Sequence, residues 1–242
     1  MKVITQVIRD KAKEAFHQAE LDRSNITEYE RDLYGFSGRK IKHTISNICS
    51  IKDNLNYLEL GVYRGATIIS ASFRNTTSIF GVDDFTLDHK EAEPYKENGW
   101  NNPKIVAESL FERYKTRGDI KNTITLLQSE ATKVDLKLIN KKIDIIHYDL
   151  DEHHANLESV VKYYTPVLDK YSILLVSNWN SKGVRDSYNR LSTTAGLSLE
   201  LIYEKLSSTT GDTLNWYNGF SASILTITPA AVAATKKEEV ND

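Results

Sequence analysis

Five short, almost continuously apolar runs recur along the middle of the chain, each separated from the next by enough residues for a helix. They are "LNYLEL" (55–60), "TSIFGVD" (77–83), "TITLLQ" (123–128), "IDIIHYD" (143–149) and "SILLVSN" (172–178). A strand that faces water on one side alternates apolar and polar residues, whereas a strand covered on both faces does not. These runs therefore read as parallel strands inside a sheet with helices on both sides. Helical faces stand between them. Val106, Leu110, Phe111 and Tyr114 share one face; Leu157, Val160, Val161 and Tyr164 share another, which Pro166 closes. Repeated strand–helix units predict a doubly wound α/β sheet with right-handed crossovers. The last two runs, "LSLELIYEKL" (197–206) and "GFSASILTIT" (219–228), have no helix between them and predict an antiparallel pair. The expected sheet is thus mostly parallel and seven-stranded, with an antiparallel last strand.

Ahead of the sheet, Ile4, Ile8, Ala12, Ala15, Phe16 and Ala19 recur at helical spacing. Gly35 and Gly38 then break the chain, and Ile41, Ile45 and Ile48 mark a second helix over 40–49. The expected organisation is a helical extension over 1–37, one catalytic-type domain over 38–228 and a disordered tail over 229–242, where "AAVAATKKEEVND" carries no apolar face. With 242 residues and 40% hydrophobic content, a sizeable core can form. A formal net charge of −2 gives no basic field for nucleic acid. The single cysteine, Cys49, excludes an internal disulfide framework. No apolar run is long enough to span a bilayer, and "MKVITQVIRDKAKEAF" lacks a signal-peptide core. The expected location is the cytoplasm, with no membrane partner; a homo-oligomer stays open.

The functional reading starts at "NYLELGVYRGAT" (56–67), where a buried strand ends in Glu59 and passes into a turn bracketed by Gly61 and Gly65. A strand, a glycine turn and a helix place backbone N–H groups at the carboxyl edge of a sheet, where open α/β sheets bind ligands. The spacing is not GxGxxG, and no Lys-Ser or Lys-Thr pair follows, so a phosphate cradle is not indicated. About twenty residues on, "GVDDF" (81–85) closes the next strand, and a carboxylate there is placed to accept from a ribose diol. Asp83 is the candidate, with Asp84 beside it. The competing account is that strand–glycine–helix turns are ordinary punctuation in any α/β protein.

"LELGVYRGAT" and "GVDDF" resemble the first two motifs of the class I S-adenosylmethionine-dependent methyltransferases, and the likeness runs from about Gly38 to Thr228. "IDIIHYDLDEHH", the helix to Pro166 and "ILLVSNWN" resemble the small-molecule O-methyltransferases related to the macrocin and mycinamicin sugar methyltransferases. The resemblance implies that Glu59 and the loop Gly61, Val62, Tyr63, Arg64 and Gly65 hold the methionine portion of S-adenosylmethionine. It implies that Asp83 and Asp84 serve the ribose, and Ser129 and Glu130 the adenine. Asp149 is implied to border both the methyl-transfer site and a divalent metal such as Mg²⁺. The family usually places two aspartates before the tryptophan that matches Trp179; here Ser177 and Asn178 stand there, so a metal site would rest on Asp149 and the carbonyl oxygen of Asn178.

Without a metal, His153 or His154 is the candidate general base, since imidazole titrates near neutral pH. The competing account for Asp151, His153 and His154 is a solvated helix start. Arg185 reads equally as a clamp for an acidic substrate or as a solvated charge, and "NWYNGF" (215–220) as an aromatic wall or a plain turn. The expected function is methylation of a hydroxyl on a small molecule. The alternatives are a cofactor-binding scaffold that no longer methylates and a nicotinamide-dependent oxidoreductase.

Overall fold

The computed structural model describes residues 2–86, 102–150 and 156–228. The catalytic candidates Asp151, His153 and His154 and the expected tail over 229–242 lie outside these residues. The chain opens with α1 (Lys2–Glu20), α2 (Glu28–Arg31) and α3 (Arg39–Cys49). It then alternates through β1 (Asn56–Leu60), α4 (Ala66–Ser72), β2 (Ser78–Asp83), α5 (Pro103–Thr116), β3 (Ile124–Gln128), β4 (Ile143–Tyr148), α6 (Leu157–Tyr164), β5 (Leu168–Ser177), α7 (Lys182–Ser192), β6 (Leu197–Lys205) and β7 (Phe220–Ile227).

All seven strands form one sheet in the order β3-β2-β1-β4-β5-β7-β6. The first five run parallel, and β7 lies antiparallel between β5 and β6. The expected topology is observed. A dinucleotide-binding sheet continues with a parallel sixth strand beside the fifth; the inserted antiparallel β7 departs from that pattern. One strand differs from the reading of its apolar run: β5 starts at Leu168, not at 172. Asp169 and Lys170 hide this start by their polarity, yet Leu168 already pairs with Ile143, before the register shifts between Ile143 and Ile145.

Two apolar layers cover the sheet. On one face Phe16 of α1, Ile41, Ile45 and Ile48 of α3, Ile69 of α4 and Phe111 of α5 pack on Tyr57, Ile145 and Leu175. On the other, Val160 and Val161 of α6 and Val184 and Leu191 of α7 pack on Leu58, Leu60, Ile146 and Leu174. Successive strand residues point to opposite faces. Tyr57 and Glu59 therefore share the first face, and so do Ile145 and His147, and Leu175 and Ser177. The register pairs Glu59 with His147 and His147 with Leu175, so these polar groups meet beneath the carboxyl ends of three adjacent strands.

Candidate active site

The β1–α4 turn is held by one carboxyl group. Asp83, the last residue of β2, accepts the backbone N–H of Val62 and of Tyr63 on Oδ2 at 2.6 and 2.7 Å, and that of Phe85 on Oδ1 at 2.6 Å. A carboxylate offers about four lone-pair sites. Three of them are taken here, so Asp83 has room for one further donor rather than for both hydroxyls of a ribose. Burial pushes the Asp83 pKa up, and the three N–H bonds oppose the rise. Asp84 uses Oδ1 for the backbone and hydroxyl of Thr86, at 2.9 and 2.8 Å. Ser129 N donates to the carbonyl of Asp83 at 3.0 Å, which ties the end of β3 to the end of β2.

The two turn glycines serve packing. A Cβ on Gly61, which has φ +95°, would sit 2.4 Å from the carbonyl oxygen of Asp149; one on Gly65, with φ +79°, would sit 2.6 Å from the Phe111 ring. Gly61 thus lets the end of β4 lie against the turn, and Gly65 admits α5. At Gly65 the space a side chain would need is taken by the ring of Phe111.

Glu59 is fully buried and is not in the cavity wall. Its Oε1 accepts from the Thr67 hydroxyl at 2.6 Å and its Oε2 from the Tyr57 hydroxyl at 2.5 Å. His147 Nδ1 lies 2.8 Å from the Tyr57 oxygen and 3.3 Å from Glu59 Oε2, and His147 Nε2 lies 2.9 Å from Ser177 Oγ. Burial alone would lower the His147 pKa, but the Glu59 hydrogen bond and the charges of Asp149 and Glu59 reverse this, and the net shift is upward. Sequence reading passed over His147 because a histidine inside an apolar strand looks like a core residue. The signal was that Glu59 stands at the matching position of the neighbouring strand. Glu59 thus sits beneath the cavity floor, where it holds Thr67 and lies beside His147.

Asp149 follows β4 directly and lines the cavity. Burial pushes its pKa up to about 6; His147 opposes the rise, Glu59 and Asp83 add to it, and the Ser177 hydroxyl lowers it. Asn178, with φ +56°, spends its side chain on bracing: Nδ2 donates to the Leu150 carbonyl at 3.3 Å, and Oδ1 accepts from Asn218 Nδ2 at 3.2 Å. Among the described residues no cluster of His, Cys, Asp or Glu is gathered that could hold a metal ion. The Asn178 oxygen thus already accepts one hydrogen bond. Arg185 is a structural group, donating from Nη1 to the carbonyls of Trp179 and Asn180 at 2.5 and 2.8 Å.

The cavity at this edge has a volume of about 300 Å³. Val62, Tyr63, Asp83, Asp84, Ser129 and Glu130 line one stretch of it, and Asp149, Asn178, Tyr217 and Asn218 another. In "NWYNGF", Tyr217 reaches the wall, whereas Trp216 packs into the core against Phe16 and Phe220. Arg64 lines the cavity with its guanidinium 5.0 Å from the Tyr34 ring centre and 5.2 Å from that of Tyr63. Gly35, Phe36 and Ser37, residues before the expected boundary at 38, also belong to the wall.

No family model matches the chain, and no curated protein does. Solved structures match its fold. The S-adenosylhomocysteine-bound methyltransferase PaMTH1 of Podospora anserina superposes with a TM-score of 0.51 at 13% identity, over 90% of this chain and 88% of that one. A Corynebacterium glutamicum protein superposes with a TM-score of 0.53 at 12% identity, over 89% and 90%. The seven-stranded mixed sheet with its antiparallel β7 is a Rossmann-like fold that the chain shares with the methyltransferase PaMTH1.

Proposed function

We propose that this chain is an S-adenosylmethionine-dependent methyltransferase acting on a hydroxyl of a small molecule. The observation that carries the reading is the cavity itself. It lies at the carboxyl edge of β1, β2 and β4, with a glycine turn at its floor and strand-end acids along its wall. The residues suit the cofactor. Asp83 has one accepting site left for a ribose hydroxyl, and Asp84 stands beside it for the second. Ser129 and Glu130 flank the base, and the turn from Gly61 to Gly65 underlies the methionine portion. S-adenosylmethionine, when bound, supplies an electrophilic methyl group.

The chain contributes position and a proton acceptor. Asp149 has a pKa of about 6 and faces the cavity, so near neutral pH it is largely ionised yet still basic enough to take a hydroxyl proton. Ser177 and His147 hold it from below. Holding two reactants in line removes much of the entropic barrier to a transfer of this kind. Asp149 is the base in this reading; His153 and His154, the candidates from the sequence, lie outside the described residues.

The test uses S-adenosylmethionine labelled in its methyl group, with a small-molecule extract in one arm and total RNA in the other. Label transferred to a small organic product, and lost in Asp149→Ala, supports the reading. Label in RNA alone overturns the substrate class. No transfer in either arm, with cofactor still bound, favours the scaffold alternative.

A further inference from the structure

Part of the cavity wall comes from before the sheet. Tyr34 to Ser37 cross the carboxyl edge of the sheet between α2 and α3. This segment is anchored at three points. Lys42 Nζ donates to the carbonyls of Arg31 and Leu33, the first at 3.0 Å. Arg39 N donates to the Thr213 carbonyl at 2.9 Å and Lys40 N to that of Asn215 at 3.1 Å. The Phe36 ring stacks on Tyr63 of the β1–α4 turn, with centroids 4.7 Å apart. Ser37 is therefore held between that turn and the loop that carries Tyr217 and Asn218. Asp83 holds the same turn through Tyr63 N, so this segment meets the cavity beside that turn and the Tyr217 loop.

Ser37 is 5% exposed and lines the cavity, and its hydroxyl has no hydrogen-bond partner among the described residues. A buried hydroxyl left unpaired costs free energy, and an unpaired group in a native fold calls for an explanation. Thr44, Ser46 and Ser221 also carry unpaired buried hydroxyls, but none of them is in the cavity wall, so no ligand there can satisfy them. For Ser37 a single side-chain torsion with three staggered positions decides where the hydroxyl points. Ser37, Asp83 and Asp84 line the same cavity, so a single ligand held at the two acids has Ser37 within the same enclosure. In S-adenosylmethionine the end away from the nucleoside is an amino acid, with a carboxylate that accepts and an ammonium that donates.

We propose that Ser37 binds the amino-acid head of the cofactor, so that the segment before α3 is part of the binding site. The proposal rests on the methyltransferase reading. Two ligands separate it from that reading: S-adenosylhomocysteine, and 5′-methylthioadenosine, which keeps the nucleoside and the sulfur but lacks the head. Calorimetry on the wild type and Ser37→Ala is the test. The variant should bind S-adenosylhomocysteine roughly 10- to 150-fold more weakly, the loss of one hydrogen bond to a charged group. Its affinity for 5′-methylthioadenosine should stay within about twofold of wild type, because no head is present to lose a bond. Its melting temperature without ligand should be unchanged or higher, since an unpaired hydroxyl is removed. Equal weakening toward both ligands, or none toward S-adenosylhomocysteine, overturns the proposal. Absence of binding of either ligand by the wild type overturns the methyltransferase reading and this proposal with it.

Discussion

At the scale of single residues, the acids at the strand ends were visible in the sequence, but the number of bonds each already makes was not. Asp149 shows what this means in energy. Its pKa in the fold is about 6 against an ordinary 3.8. The folded state therefore binds this proton more tightly than the unfolded state does. Between those two values stability falls as pH rises, and above about 6 the cost is complete. Asp149→Asn removes that cost. The variant should melt higher than wild type at pH 8 by a few degrees, about 1–2 kcal/mol, and the two curves should converge near pH 4. Methyl transfer should drop in the same variant by roughly 10²- to 10⁴-fold. A lower melting temperature at pH 8 would mean that the ionised Asp149 is held by His147 strongly enough to stabilise the fold. Asp83 was legible as an acid in the right place, yet its service to Val62, Tyr63 and Phe85 depends on a turn geometry that no spacing reveals. His147 was hidden for the opposite reason, because its strand is apolar and its partners come from other strands.

At the scale of elements, strand and helix periods exposed nearly the whole order of the chain, because a sheet covered on both faces leaves long apolar runs. What stayed hidden were contacts between elements far apart in sequence. The resemblance put Gly65 in a loop that holds the cofactor, and the structure also puts α5 against it. The expected consequence is a stability effect. Gly65→Ala places a methyl group 2.6 Å from the Phe111 ring on a backbone with φ +79°. Both the overlap and the left-handed conformation oppose it, so the loss should be about 1–3 kcal/mol in urea unfolding. Equal unfolding midpoints for the two proteins would show that α5 yields without cost and that Gly65 is not what seats it.

At the scale of the molecule, the helices before the sheet and the sheet itself share one core. Phe16 of α1 stacks on Tyr203 of β6 at 4.1 Å, and α3 packs its isoleucines on the same face that carries Tyr57. Spacing alone showed α1 as amphipathic but could not say what its apolar face covers, so the helices before residue 38 read as an extension. In the fold they support the segment that closes the cavity. On the function proposed above, the carboxyl edge holds a cavity for a nucleoside that carries an amino acid. Isothermal calorimetry of the full chain with S-adenosylhomocysteine measures that directly. The account predicts saturable binding of one ligand per chain, with Kd on the order of micromolar, about −8 kcal/mol. A folded chain that gives no binding heat with millimolar S-adenosylhomocysteine, and no rise in melting temperature, would contradict it.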